Sequence, residues 1–208
     1  WQEKEIERQG LRSICDFERR TMPTIIRAEM RGVRVDTSVA EEAAHEVRKD
    51  TKVLQRELNK LAGGELNVNS TPQIKKLFNP VQRKDGQWYV GNNLIGKTNS
   101  GGPSLSKEYL INMADKGDRR AELIQDVRSQ IKTADTFLMG HICSHAIDGR
   151  VYPTINQNKG EDGGTGTGRL SVTKPAMQQI PSRNKKIAAI VKPAFLPGDE
   201  IGGFIGGA

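Results

Sequence analysis

Residues 37–62 carry the longest amphipathic pattern in the chain: Val39, Ala43, Val47, Leu54, Leu58 and Leu61 share one stripe, with Glu, Lys and Arg between them. Gly63-Gly64 ends the pattern. A second long pattern spans 119–140, where Ala121, Ile124, Val127, Ile131, Ala134 and Leu138 recur at helical spacing. Two such helices, separated by a mixed stretch, predict an extended antiparallel pair rather than a compact enzyme core. The other segments supply shorter helices, short strands and Gly/Pro-rich loops, so the expected class is mainly α with a small β portion, α+β.

Residues 3–30 read as helix from Ile6, Leu11, Ile14, Phe17, Met22, Ile25, Ile26 and Met30, with Pro23 marking a kink or a fresh helix start. Gly32-Val33-Arg34-Val35-Asp36 then reads as a short extended piece. Asp36 or Ser38 can cap the next helix, and Ser38-Val39-Ala40-Glu41 has the form of a capping box. Ser70-Thr71-Pro72-Gln73 repeats that form ahead of a short helix over 71–78. Trp88-Tyr89-Val90 suggests a small hairpin, and Ser104 can cap a helix over 105–114, whose amino end would suit an anion.

Two patterns tempt a stronger reading. Gly91 to Thr98 satisfies the phosphate-loop form GxxxxGK[ST], but Asn99-Ser100-Gly101-Gly102-Pro103 cannot start a helix at the lysine, so a chance match is expected. His141 and His145 stand four apart with no glutamate between them, which favours a helix-terminus role over zinc. Cys15 and Cys143 are far apart and form neither a metal motif nor a disulfide framework, which fits a reducing compartment. No apolar run approaches the ~20 residues a membrane span needs, and the charged amino end has no signal-peptide core. A cytoplasmic protein without a membrane partner is the expectation.

Charge then points to a partner. The net charge is +7, with 32 Lys and Arg spread along the chain, a moderate excess that favours a polyanion without deciding it. Arg128 and Lys132 are four apart on one helix face, where like charges repel unless an anion lies over them. Thr165-Gly166-Thr167-Gly168-Arg169-Leu170-Ser171, followed by Pro175 to Arg183, is bounded by Gly and Pro and holds Arg169, Gln178, Gln179 and Arg183. Glycines before an arginine let the backbone approach a partner and aim the side chain.

That stretch resembles the TGRLSS…PNLQNIPVR block of family A DNA polymerases, which lies in the palm beside the primer terminus. The match continues upstream in order. Ala28 to Asp36 resembles "MExxGVxVD" at the foot of the thumb, and Leu66 to Gln73 resembles "FNLNSPKQL" at its tip. Lys97 to Ser106 resembles "KTxxGxxSTS", Val127 to Phe137 "YRELxKLKSTY", and Arg150 to Gln157 "RxHxxFNQ". The resemblance implies a helical lead-in and thumb base over 1–36, a thumb over 37–140 and the start of a palm over 141–208. It also implies DNA contacts from Asn67, Ser70, Lys97, Ser104, Ser106, Arg128, Lys132, Asn156, Arg169, Gln178, Gln179 and Arg183. For Ser70, helix capping remains the alternative. Gln179 stands where the family has Asn, and Ala176 where many members have Asn.

The resemblance also implies what these residues lack. The family's metal-binding carboxylates come from "DYSQxE" and "HDE" segments, and its nucleotide helix from "RxxxKxxxFG"; none has a counterpart here. Asp199 and Glu200 read as a turn before the palm strand, not as metal ligands. Residues 158–164 read as a flexible insertion, and the glycine-rich end after Glu200 as an unpaired palm strand. The expectation is the primer–template-binding portion of a DNA-directed DNA polymerase, cut before the first catalytic aspartate and inactive alone. Mg²⁺ and dNTP are then needed only by the complete enzyme. A split polymerase completed by a second polypeptide and a stand-alone DNA-binding module are the alternatives.

Overall fold

A computed structural model describes residues 2–158 and 164–198. The expectations for Asp199, Glu200 and the glycine-rich end, and most of the 158–164 insertion, lie outside the described residues. The chain divides into two compact units, Trp1–Ala44 with Asp135–Ala208, and His45–Ala134. The architecture is α+β, mostly helical with small antiparallel sheets.

In the first unit, α1 (Gln2–Arg8) and α2 (Arg12–Arg31) are separated at Gly10, whose φ of +68° breaks the helix. No fresh helix starts at Pro23, because α2 runs through it. Pro23 lies inside α2 on an exposed face near exposed Arg19, so water can take the carbonyl that proline leaves unbonded. The predicted apolar stripe exists but is not a core stripe. Ile25 is its buried member, while Phe17 is 60% and Met30 75% exposed.

A three-stranded antiparallel sheet joins β1 (Val33–Arg34), β7 (Arg150–Val151) and β6 (Ala146–Ile147), with Val33 opposite Val151. Beyond β1, Val35 bridges Phe195, and Asp36 N–H donates to the Ala194 carbonyl at 2.8 Å. Val35, Val151, Ala188, Val191 and Ala194 are buried around it. Gly32 enters this sheet at φ +62°; a Cβ there would stand 2.8 Å from the Val151 carbonyl oxygen. Asp36, not Ser38, caps α3 (Thr37–Ala62): its Oδ1 accepts the Val39 N–H at 3.1 Å and the Ser38 hydroxyl.

In the second unit, α3 and α6 (Arg119–Ile131) run antiparallel, as expected. The Thr51 hydroxyl donates to Gln130 at 2.9 Å, and Arg119 clasps Glu57 at 2.8 and 2.9 Å. Between them lie α4 (Thr71–Phe78), a four-stranded sheet and α5 (Lys107–Asp115). The sheet order is β2 (Val81–Gln82), β3 (Trp88–Val90), β4 (Asn93–Lys97), β5 (Pro103–Ser104). The core includes Leu58, Ile74, Phe78, Val90, Ile95, Leu110, Leu123, Ile124 and Val127.

The second long helical pattern is not uniform. It is α-helical to Ile131 and then winds more widely, as π-helix, over Lys132–Ile142. A Cβ on Gly140 would stand 2.9 Å from the carbonyl oxygen of Asp135, five residues back. Phe137, Leu138 and Ile142 are buried along this π-helical stretch. Periodicity cannot separate the two windings over so few turns.

Candidate nucleic-acid interface

The loop between α3 and α4 is pinned from three sides. Gln55 Nε2 donates to the Leu66 carbonyl at 2.8 Å, Leu66 N–H donates to Asn59 at 3.1 Å, and Arg128 Nε donates to the Val68 carbonyl at 2.7 Å. Leu66 and Val68 bury their side chains beneath. Arg128 is half-buried, and burial pushes its pKa down from the ordinary arginine value. It is therefore tied to the loop carrying Asn67 and Ser70, and does not simply project with Lys132 from one open helix face. Lys132 stands exposed where the helix widens.

Within the loop, Asn67 Oδ1 accepts the Asn69 N–H at 2.9 Å, and Asn67 N–H donates to Gln73 Oε1 at 2.7 Å. Gln73 is thus spent on Asn67, and the expected reciprocal capping box does not form. Ser70 holds the N-cap position of α4 with extended backbone, but its side chain makes no capping hydrogen bond. The capping explanation for this serine is therefore withdrawn by the geometry.

Lys97 closes β4 opposite Pro103, and Ser104 pairs with Gly96 across β4 and β5. Ser104 is a strand residue, which corrects its expected capping role. Ser106 caps α5 two residues later, its hydroxyl accepting the Tyr109 N–H at 3.2 Å. Extended pairing of Gly96 with Ser104 delays the helix start. The phosphate-loop pattern is disposed of as expected: it forms a turn and β4, and Thr98 enters a tight turn closed by Gly101 N–H at 2.8 Å.

The remaining sequence-predicted residues lie in the first unit. β8 (Thr154–Asn156) pairs antiparallel with β9 (Ser171–Thr173), and Asn156 faces Ser171. Asn156 Nδ2 donates to Thr173 Oγ1 at 3.0 Å, so this side chain braces the hairpin. The turn before β9 is locked by the Thr165 hydroxyl donating to the Arg169 carbonyl at 2.7 Å, with Gly168 at φ +73°. Gln178, on the short turn Met177–Gln179, donates Nε2 to the Leu170 carbonyl at 3.1 Å and accepts the Val172 N–H at 3.2 Å. Arg169, Gln179 and Arg183 are exposed, and their side chains have no hydrogen-bond or ionic partner among the described residues.

Sequence reasoning missed how α2 serves this hairpin. Glu29 accepts the Ile155 N–H at 2.6 Å on the outer edge of β8, and Glu18 accepts the side-chain Nε2 of Gln157, just past the strand, at 2.6 Å. Glu29 lies in the segment matched to the thumb foot, which could have flagged it. Of the histidine pair, His145 Nδ1 meets the Gly140 carbonyl at 2.7 Å, and His141 packs edge-on to Phe137 with centroids 5.9 Å apart. Among the described residues no cluster of three His, Cys, Asp or Glu could hold a metal ion. The described residues therefore do not fit a catalytic magnesium pair. Nor, among the described residues, is any helix long and apolar enough to cross a membrane.

The locked turn of the first unit and the helical pair of the second each carry exposed basic or amide side chains. The sequence profile of DNA polymerase family A matches residues 37–205, and the chain belongs to that family. It is 49% identical over 197 residues to "DNA polymerase DpoZ" of Vibrio phage phiVC8, covering 94% of this chain and 30% of that protein. It is 48% identical over 206 residues to the protein of the same name from Acinetobacter phage SH-Ab 15497, covering 95% of this chain and 32% of the relative. The DNA polymerase I of Geobacillus stearothermophilus is 28% identical over 190 residues, covering 90% of this chain and 20% of that protein. The chain thus spans about a third of the length of its phage relatives. Among solved structures, the "POL domain of Pol1 from M. smegmatis complex with DNA primer-template and dNTP" superposes with a TM-score of 0.64 at 24% identity. That match covers 81% of this chain and 27% of that one, and establishes the fold.

Proposed function

We propose that this chain supplies the primer–template-gripping part of a DNA-directed DNA polymerase, with a thumb over 37–140 and the start of a palm over 141–208. The observation that carries it is that Arg169, at the end of the locked Thr165–Arg169 turn, and likewise Gln179 and Arg183, are exposed and without side-chain partners among the described residues.

The chemistry follows from duplex geometry. Each Watson–Crick pair offers minor-groove acceptors at purine N3 and pyrimidine O2, so donors aimed there test pair shape without reading sequence. Arg169 and Gln179 are such donors. Arg128, Lys132, Lys97, Asn67, Ser70, Ser104 and Ser106 act on the backbone, where contacts fix register and carry no base information. The Ser70 hydroxyl, released from capping, and the Arg128 Nη groups, beyond the Nε bond to Val68, are directed to phosphate. In this reading Mg²⁺ and dNTP are held by other parts of the complete enzyme, a cytoplasmic protein, and the 208-residue chain polymerises nothing alone.

Fluorescence anisotropy on primer–template DNA across a salt series tests the grip. Arg128→Ala with Lys132→Ala should flatten the dependence of log K on log salt by about one to two counterions. An unchanged slope would remove this helix from the phosphates. Nucleotide incorporation by the purified chain with Mg²⁺, above a contamination control, would refute its inactivity.

A further inference from the structure

β9 has one paired edge and one open edge. Residues 171 and 173 face β8, so Val172 and Leu170 turn their backbone groups the other way. An open edge is normally satisfied by another strand or by water. Here the Gln178 carboxamide fills it: Nε2–H donates to the Leu170 carbonyl at 3.1 Å and Oε1 accepts the Val172 N–H at 3.2 Å. One planar amide thus reproduces the donor–acceptor pair of a neighbouring strand residue. It fixes the backbone on the carboxyl side of Arg169, while the Thr165 hydroxyl fixes the Arg169 carbonyl itself at 2.7 Å.

We propose that Gln178 is a positioning residue, and that its amide sets the separation between Arg169 and Gln179 so that both donors meet one base pair. The proposal rests on the DNA-binding reading above and changes the part assigned to Gln178. Its amide spends a donor and an acceptor on the chain's own backbone, in a geometry that only a carboxamide of this length provides. Gln178→Glu keeps the acceptor for Val172 but sets a carboxylate against the Leu170 carbonyl. Gln178→Asn is one methylene shorter and cannot reach both groups.

The test is a double-mutant cycle between Arg169→Ala and Gln178→Ala in the 208-residue chain. It is read by anisotropy on primer–template DNA and by amide hydrogen exchange at Val172. Gln178→Ala should weaken binding about threefold to tenfold in the parent and less than about twofold in the Arg169→Ala background, the non-additivity of groups acting as a unit. Gln178→Glu and Gln178→Asn should fail to restore binding, and Val172 exchange should accelerate in the alanine variant.

Equal losses in both backgrounds would make Gln178 an independent DNA contact and overturn the proposal. Unchanged Val172 exchange would show that the amide bridge is absent, and would overturn it too. If Arg169→Ala alone leaves binding unchanged while Val172 exchange still responds to Gln178→Ala, the base-pair contact assigned to Arg169 fails and the positioning role falls with it, while the salt slope tests the grip on the backbone separately. The bridge would then survive only as a structural feature.

Discussion

Arg128→Ala and Arg128→Lys should come apart in a way that assigns this side chain two functions. Its Nε donates to the Val68 carbonyl at 2.7 Å from a half-buried position, and Val68 itself is 2% exposed beneath the loop. A hydrogen bond from a charged donor contributes about 1.5–3 kcal/mol, and removing it leaves a carbonyl in a poorly hydrated place. Burial works against the charge, which puts the net loss for Arg128→Ala at the lower part of that range. For a chain of this size each kcal/mol moves Tm by about 2–4 °C, so a fall of about 3–8 °C is expected. Lysine has no planar Nε–H, so Arg128→Lys should lose most of the same stability. It keeps the charge, so it should also keep the salt slope of DNA binding, whereas alanine should flatten the slope by about 0.9. Thermal melting and a salt series on the three proteins decide the matter. An unchanged Tm in both variants would refute the tie between Arg128 and the 66–70 loop. A slope lost equally in alanine and lysine would show that the guanidinium shape, not the charge, meets DNA.

Other perturbations probe the first unit. Gly32→Ala combines a φ of +62° with a Cβ placed 2.8 Å from the Val151 carbonyl oxygen, and should cost about 2–5 kcal/mol in denaturant unfolding; an unchanged midpoint would mean that β1 and β7 do not approach as described. The Ser38 hydroxyl and the Val39 N–H hold the Asp36 carboxyl below its ordinary 3.8. A depressed carboxylate contributes stability above its unfolded-state pKa and loses it as pH falls through the folded value. Asp36→Ala should therefore be less stable than the parent at neutral pH, by a gap that narrows as pH falls below about 3.8; a gap that does not change with pH would exclude the charged cap.

The sequence was most legible where a feature repeats. The stripes over 37–62 and 119–140 predicted the antiparallel pair that Thr51, Gln130, Glu57 and Arg119 join. The residues after Thr98 were enough to reject the phosphate loop. Less was legible where two side chains compete for one job. Ser38 and Asp36 both suit a cap, and the choice rests on where the strand before them ends. Ser104 and Ser106 differ by whether Gly96 finds a strand partner, a pairing across eight residues that local pattern does not encode. Gln73 matched a capping box yet bonds Asn67, because the loop folds back on itself. For the candidate interface, motif order identified the residues, but only coordinates distinguish side chains spent on the protein, such as Gln178 and Asn156, from those left exposed.

The most direct test of the account is the backbone NMR spectrum of the labelled chain titrated with primer–template DNA. Amide shifts should concentrate at 67–70, at 97–106, around Arg128 and Lys132, and across 165–183, while α1 stays unchanged. Shifts confined to α1 and α2, or none at low salt, would contradict the assignment of these loops to the duplex.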